Sequence, residues 1–384
     1  MDFTPTEAQA EARDLAARIF ADLAAHERLR AAGTGSDPEL WKALCGAGLV
    51  AAVEEVGLLG LVLLLEEQGR TTAQVPYAAS CVYGLLAVTA HGTDEQRRRL
   101  LPGIAAGSTV VTGAFPAQPG VGLAARPGVR LSARPGSRSS PRPVLSGTVP
   151  VVPWLRDATH VLVADAGRRL WLVDLAAGTG VEEIELTAPW SAGRLTLDET
   201  PAEPLGDSLA PDGPGGDSLA PDGPAPDGPA PDSPGGAYAD VLATARTAFA
   251  GLQAGVCAGS LARAVAHTNS REQFGRPLAT RQGVQLRAAD AHMDTEAIRV
   301  TAYEAAWRRD AGLPYATHAL TAAWWASEAG QRVVHTGQHL HGGAGADVDH
   351  PVHRHFLWGR QLDAYLGSGG EVLQELGELI AHGD

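Results

Sequence analysis

Cysteine is scarce. The chain of 384 residues has three, Cys45, Cys81 and Cys257, odd in number, far apart and without a CxxC pair. That spacing excludes a disulfide framework and a cysteine-built metal site, and fits small reduced thiols. Long hydrophobic runs are also missing. The longest, 56–65, holds two glycines and is followed by Glu66 and Glu67, well short of the roughly 18 residues of a bilayer span. No membrane span is expected. Positive charge is in deficit, with 30 Lys and Arg against 44 Asp and Glu, a net charge of −14. Such a balance opposes a nucleic-acid backbone and an anionic membrane surface. The first residues carry Asp2, Glu7 and Glu11 ahead of any basic residue and resemble no secretory signal, so a cytoplasmic address is expected. No G-x-S-x-G elbow supports a hydrolase.

What is present is 45% hydrophobic residues, in a chain long enough for two or three packed units. Apolar positions recur at helical spacing over 7–25, 37–47, 60–69 and 94–106, with an Asp N-cap opening the second and Glu66 and Glu67 on the polar side of the third. The texture then changes to short β-branched runs broken by Gly, Pro and Ser at 109–113, 129–132, 144–152, 159–164, 169–173 and 181–186, the pattern of a small antiparallel β domain. From Gly206 the motif GDSLAPDGP appears, recurs from Gly216, and decays into APDGPAPDSPGG; six aspartates lie there. Proline and glycine at this density predict a disordered acidic insertion. Long alanine- and leucine-rich periodic stretches at 237–267, 280–309, 317–341 and 361–382 predict a four-helix bundle. The expected organisation is α+β: an N-terminal helical domain over 1–108, a middle antiparallel β domain over 109–200, the insertion over 201–237 and a C-terminal four-helix bundle over 238–384.

That order, with MDFTPTEAQAEARDLA, WKALCGAGLV, LLLEEQGR and GTDEQRRRLLPGIAAG in the first part, resembles the acyl-CoA dehydrogenases. The specific resemblance is C-terminal. SREQFGRPLATRQGVQ is similar to the family's Arg-x-x-Phe-Gly segment followed by a glutamine seven residues after the glycine, and QHLHGGAGADVDHPVHRHFLWGRQL resembles its glycine-pair loop. The resemblance implies the acyl-CoA dehydrogenase fold, FAD as cofactor, an acyl-CoA substrate and electron-transfer flavoprotein as electron acceptor. It implies that Arg271, Phe274 and Gln282 hold the cofactor, with Gln338 or His339 donating to it and Gly342 and Gly343 giving close backbone approach. A pyrophosphate needs fixed positive charge and backbone free of Cβ, which an arginine and a glycine pair supply. Arg246 falls at the position that lines the acyl-CoA pocket; a solvated helix charge is the plainer reading.

Dehydrogenation of a thioester needs a carboxylate to take the weakly acidic α-proton. By resemblance that base belongs at one of two positions, which here are Leu366, in Tyr365-Leu366-Gly367-Ser368, and Ala245. Neither is a carboxylate, and Glu371 stands nearby only as a relocated candidate. The family's flavin-contacting segments of the β domain are also absent from VTGAFPAQPGVGLAARPG and SGTVPVVPWLRDATHVLVA. The elements a subunit uses on its own flavin are lost, and those it extends to a neighbour's flavin are kept. This implies a heteromeric enzyme with a catalytically complete paralogue, resembling the base-lacking subunit of the actinobacterial heterotetrameric acyl-CoA dehydrogenases of the steroid side-chain type. Alternatives are a non-catalytic binding or scaffolding protein of this fold, or a free-standing enzyme with a relocated base. His335, His339, His341, His350, His353 and His355 crowd into 21 positions, but with no cysteine nearby and no His-Glu-x-x-His they predict no metal site.

Overall fold

The computed structural model describes residues 2–114, 132–134, 143–165, 168–177, 179–206 and 236–381. Its N-terminal part is helical. Helix α1 (Glu7–Leu23) opens with a reciprocal cap between Thr6 and Gln9, α2 is His26–Ala32, and α3 (Pro38–Gly46) opens at Asp37, whose carboxylate accepts from the Glu39 and Leu40 amides. Arg28 holds that carboxylate ionised, below its ordinary range. Helix α4 (Val53–Thr71) breaks its regular backbone at Gly57. There Asp310, distant in sequence, accepts from the Leu58 and Leu59 amides at 2.8 Å each, recapping the helix after the break. Next come α5 (Tyr77–Ala79), a π-helical turn Ser80–Leu86 and α6 (Ala87–His91), a continuous and almost wholly buried segment; α7 (Asp94–Ala105) follows. The 77–91 segment is helix that the apolar periodicity did not reveal, because it has no polar face.

Strands β1 (Val111–Ala114), β4 (His160–Ala164), β5 (Leu170–Asp174) and β8 (Glu203–Pro204) form one sheet; β2 (Ser132–Arg134), β3 (Val144–Val152), β7 (Gly193–Pro201) and β6 (Gly180–Glu183) form the other. Every pairing in these sheets is antiparallel except β1 with β4, which run parallel. Leu145, Val149, Val161, Val163, Trp171 and Leu195 interdigitate between the sheets. Strands β7 and β8 continue to Pro204, into residues that the composition assigned to the insertion. The remainder of that segment, 207–235, lies outside the described residues.

The C-terminal part contains α8 (Gly236–Ser270), a hairpin of β9 (Glu272–Gln273) and β10 (Arg276–Pro277), α9 (Gln282–Asp310), α10 (Ala316–Leu340), α11 (Pro351–Leu362) and α12 (Gly369–Ala381). The fourth expected helix is thus two helices, split where Gly367 takes φ +117°. Helix α8 is the axis: it packs on α4, α9, α10 and α11. It meets α4 through glycine, since a Cβ on Gly255 would lie 2.1 Å from the Glu66 carbonyl oxygen. Helix α4 is consequently enclosed between α1, α8 and α9, and Glu66, expected toward solvent, is 4% exposed. Its charge is met by Arg299 at 3.0 Å, as burial requires. By length and composition α8 could cross a membrane, but 72% of its most apolar window is buried within the bundle.

Candidate functional site

The residues singled out by the sequence separate into two places. The first is an exposed edge. At the end of α8 the Arg271 amide donates to the His267 carbonyl, and the Leu278 amide donates to the Arg271 carbonyl, which seats the β9–β10 hairpin against the helix end. The hairpin turns on Phe274 and Gly275, both left-handed at φ +55° and +73°. A two-residue turn of this kind matches strand twist, yet phenylalanine rarely adopts positive φ. Phe274 is 91% exposed, its ring covered on one side by the Arg281 guanidinium 5.3 Å from the centroid. Arg281 also donates to the Gln273 carbonyl at 2.9 Å. Gln282, the first residue of α9, is exposed beside them.

The glycine pair reaches this edge through stacked histidines. His267, in the last turn of α8, stacks on His341 with centroids 4.7 Å apart, and the single turn of 3-10 helix Gly342–Ala346 begins immediately after His341. Gly342 and Gly343 are exposed, and a Cβ on either would meet nothing within 4 Å. Gln338 donates to the Gly345 carbonyl at 3.0 Å and braces the turn from behind, while His339 faces solvent. The structure thus distinguishes two residues that the sequence left equivalent.

The second place is interior. Ala245 is fully buried on α8. Arg246, 5% exposed, is neither a solvated charge nor an open one: its guanidinium grips Glu375 of α12 through two hydrogen bonds of 2.9 and 2.7 Å and reaches the Leu366 carbonyl at 3.4 Å. Such a fork is the geometry arginine offers a carboxylate. Leu366 is a partly buried hydrophobe of the main core. Tyr365 packs edge-on to Phe249 at 4.7 Å and to Trp190 at 6.1 Å, and its hydroxyl lies 3.1 Å from that of Tyr83. Burial pushes both phenols well above their ordinary pKa. Trp190 stacks on Trp154 at 5.6 Å and meets Trp358 edge-on at 5.3 Å, so the indoles fill the junction of the β unit with α11. Glu371 folds back onto the Ser368 amide and hydroxyl, both at 2.9 Å. It clamps the start of α12.

Sequence reasoning missed Glu375 and Trp190. Nothing local marks Glu375 as the partner of an arginine on another helix, whereas Trp190, in Ala188-Pro189-Trp190-Ser191, lies just before the strand β7 that the pattern reading passed over. Among the described residues no group of three or more His, Cys, Asp or Glu could hold a metal ion.

Residues 6–108 match the N-terminal domain of acyl-CoA dehydrogenases, and residues 237–376 match the C-terminal domain. The chain is 31% identical to acyl-CoA dehydrogenase FadE27 of Mycobacterium tuberculosis, with 99% of each covered, and 27% identical to FadE28 of the same organism, with 98% of each covered. Among solved structures it is 40% identical to a chain of the Tcur3481-Tcur3483 steroid ACAD, with a TM-score of 0.82 over 98% of both chains. It is 27% identical to a chain of the ChsE4-ChsE5 complex from Mycobacterium tuberculosis, with a TM-score of 0.85 over the whole of both. Matched in both terminal domains and aligned end to end with such relatives, the chain belongs to the acyl-CoA dehydrogenase family, whose cofactor is FAD and whose chemistry is oxidation at a CH–CH bond.

Proposed function

We propose that this chain is a subunit of an FAD-dependent acyl-CoA dehydrogenase in which it completes the flavin site of a paralogous catalytic subunit and has no base of its own. The observation that carries the reading is the contrast between the two places. The interior one is filled by Trp190, Trp358 and Tyr365, holds Leu366 where a carboxylate is needed, and has Arg246 neutralised by Glu375. The edge is exposed, cationic and open above a glycine pair.

Bound FAD supplies the hydride acceptor for α,β-dehydrogenation of an acyl-CoA thioester. The residues of this chain fit its adenine and pyrophosphate end. Arg271 presents a planar donor set to the phosphates, and Gly342 and Gly343 let phosphate oxygens approach backbone without a Cβ between. Phe274 offers a ring face to the adenine. Gln282 and His339 add donors at the rim, with Gln338 fixing the loop behind them. Arg246 binds structure in this chain, not substrate. The α-proton is removed by a carboxylate that the partner provides, and electron-transfer flavoprotein accepts the electrons.

Two similar structures are named as two-component assemblies, one of them a steroid ACAD. They support a heterotetramer acting on the CoA thioester of a bulky steroid side chain. Flavin absorbance tests the reading, on this chain purified alone and then co-expressed with a neighbouring acyl-CoA dehydrogenase paralogue. Little flavin alone and about one per pair of chains is expected from an interface built of two half-sites. One flavin per chain in the isolated protein overturns the proposal, and none in the pair leaves a scaffolding role.

A further inference from the structure

The histidines near the glycine pair gather no metal, but three of them form a row. His267 stacks on His341, and His341 meets His350 at 4.8 Å with their rings inclined by 62°. Their hydrogen bonds differ in direction. The His341 Nδ1–H donates to the Gly337 carbonyl at 2.7 Å, leaving Nε2 able to take a proton without losing that bond. His350 precedes Pro351 and caps α11, its Nδ1 accepting from the Val352 amide at 3.2 Å. An amide donates only to an unprotonated nitrogen, so the cap exists only while the ring is neutral with its proton on Nε2. A proton arriving at Nδ1 removes the acceptor and places a cation at the positive end of a helix.

The surroundings work in the same direction. Arg263 and His267 from α8, and His26 from α2, whose Nε2 bonds the Asp349 carbonyl at 2.8 Å, disfavour a charge on His350, and Asp347 favours it. His341 is its ring neighbour, and Asp349 is tied to Arg30 at 2.9 Å. On α11 itself His355 is buried between the Pro351 and Arg70 carbonyls and pushed down to about 4 by that burial. Desolvation and the nearby cations hold His350 below the ordinary histidine range. The segment it closes is held by Gln338 on Gly345, by the Asp347 amide on the Ala344 carbonyl, by the Asp349 amide on the Asp347 carboxylate and by the His350 amide on the Asp347 carbonyl, besides the His26 and Arg30 contacts to Asp349.

We propose that His350 is a positioning residue: as a neutral helix cap it fixes the far end of the Gly342–Ala346 turn, and its protonation releases that turn from the geometry that reaches the partner's cofactor. The idea rests on the cofactor reading above. Because the folded protein disfavours the proton, the contribution of the cap is complete above the unfolded histidine pKa and is lost as pH falls through the lower folded value.

The test uses the co-expressed complex, wild type, His350→Asn and His350→Ala, passed through gel filtration at a series of pH values. Asparagine caps a helix through its carbonyl oxygen and gains no proton in this range. Flavin retained by the wild type should be level above the ordinary histidine pKa of about 6.5, fall several-fold as the pH is taken below it, stay level in His350→Asn, and be low throughout in His350→Ala. Hydrogen exchange over 342–352, followed on the same samples, should show protection lost on acidification only where histidine is present. A wild-type profile without that fall, or an asparagine variant that falls in parallel, overturns the proposal. A complex without flavin at any pH refutes the cofactor reading instead, and the exchange profile then decides whether His350 acts on the turn.

Discussion

Two arginines on one helix and its exit have opposite surroundings. Arg246, midway along α8, is buried and bound by Glu375, while Arg271, just past the end of the same helix, is exposed and makes no side-chain hydrogen bond or ion pair among the described residues. A buried guanidinium must carry its counter-charge with it, because an unpaired charge in the interior is prohibitive. Beside Leu366, where the proposed reading expects a carboxylate base, Glu375 on the following helix balances the arginine. An exposed guanidinium has no such requirement and remains available to a ligand. The interior place is therefore packed as core, and the edge presents polar groups of the kind that a cofactor phosphate would need. Testing that division means opening what is filled and disabling what is open.

The largest effect should come from the filling. Trp190→Ala removes a fully buried indole in contact with Trp154, Trp358 and Tyr365. Its cost to folding stability should be about 3–5 kcal/mol, read from denaturant unfolding of the isolated chain. The variant chain alone should still take up no flavin. Uptake by the variant would show the tryptophan to be a removable plug and the two places to be less different than they look.

Next is the buried pair of Arg246 and Glu375. Glu375→Gln leaves Arg246 with a neutral partner, and the loss should be about 2–3 kcal/mol, under the 3–5 of a wholly buried pair, because the Glu375 side chain is 32% exposed. Leu366→Glu made on the wild-type background should yield no dehydrogenase activity in the isolated chain, since Arg246 stays engaged and the indoles stay in place. Turnover by that single variant would reduce the difference between this chain and a complete enzyme to one side chain.

At the edge, Arg271→Ala should leave folding within about 0.5 kcal/mol of wild type, as for surface changes generally. It should weaken flavin retention by the complex by about 1.5–3 kcal/mol, the worth of a charge-assisted hydrogen bond. Absorbance after gel filtration measures the second quantity and thermal unfolding the first. Equal retention in variant and wild type would show that the exposed arginine is only solvated.

How much of this could be read in advance follows from the range of the interactions. Asp37 as an N-cap was legible because cap chemistry acts over a few residues; the Arg271, Phe274 and Gly342-Gly343 segments are likewise local patterns, which the resemblance picks out by motif spacing and the structure places on one exposed edge. The division of Gln338 from His339 needed the backbone, which alone shows that Gln338 bonds Gly345. Glu375 was illegible, being 129 residues from Arg246. The buried run 77–88 offered no periodicity because every side of it is covered. Strand β7 is a different matter: Leu195 and Leu197 alternate with Arg194, Thr196 and Asp198 in a clear inward-outward pattern, so its signal was present. Glu66 misled because a carboxylate on an apolar helix ordinarily faces water, whereas here Arg299 and Tyr303 from α9 meet it in the interior.

The smallest effect should come from residues 207–235. The described residues on either side of them converge on one corner. The Gly206 amide donates to Gln96 at 3.1 Å, and a Cβ on Gly206 would lie 2.4 Å from the His91 carbonyl oxygen. The His91 imidazole in turn bonds Asp240, in the first turns of α8, at 2.8 Å. A short Gly/Ser linker can therefore join the same points, and loop-closure entropy changes by only about 0.6 kcal/mol for each halving of loop length. Replacement of 207–235 should leave the unfolding midpoint nearly unmoved or slightly raised, and flavin retention by the complex unchanged. A fall in retention with stability intact would place the acidic segment in contact with the partner. That result would give the chain a third place to set beside the filled interior and the open edge.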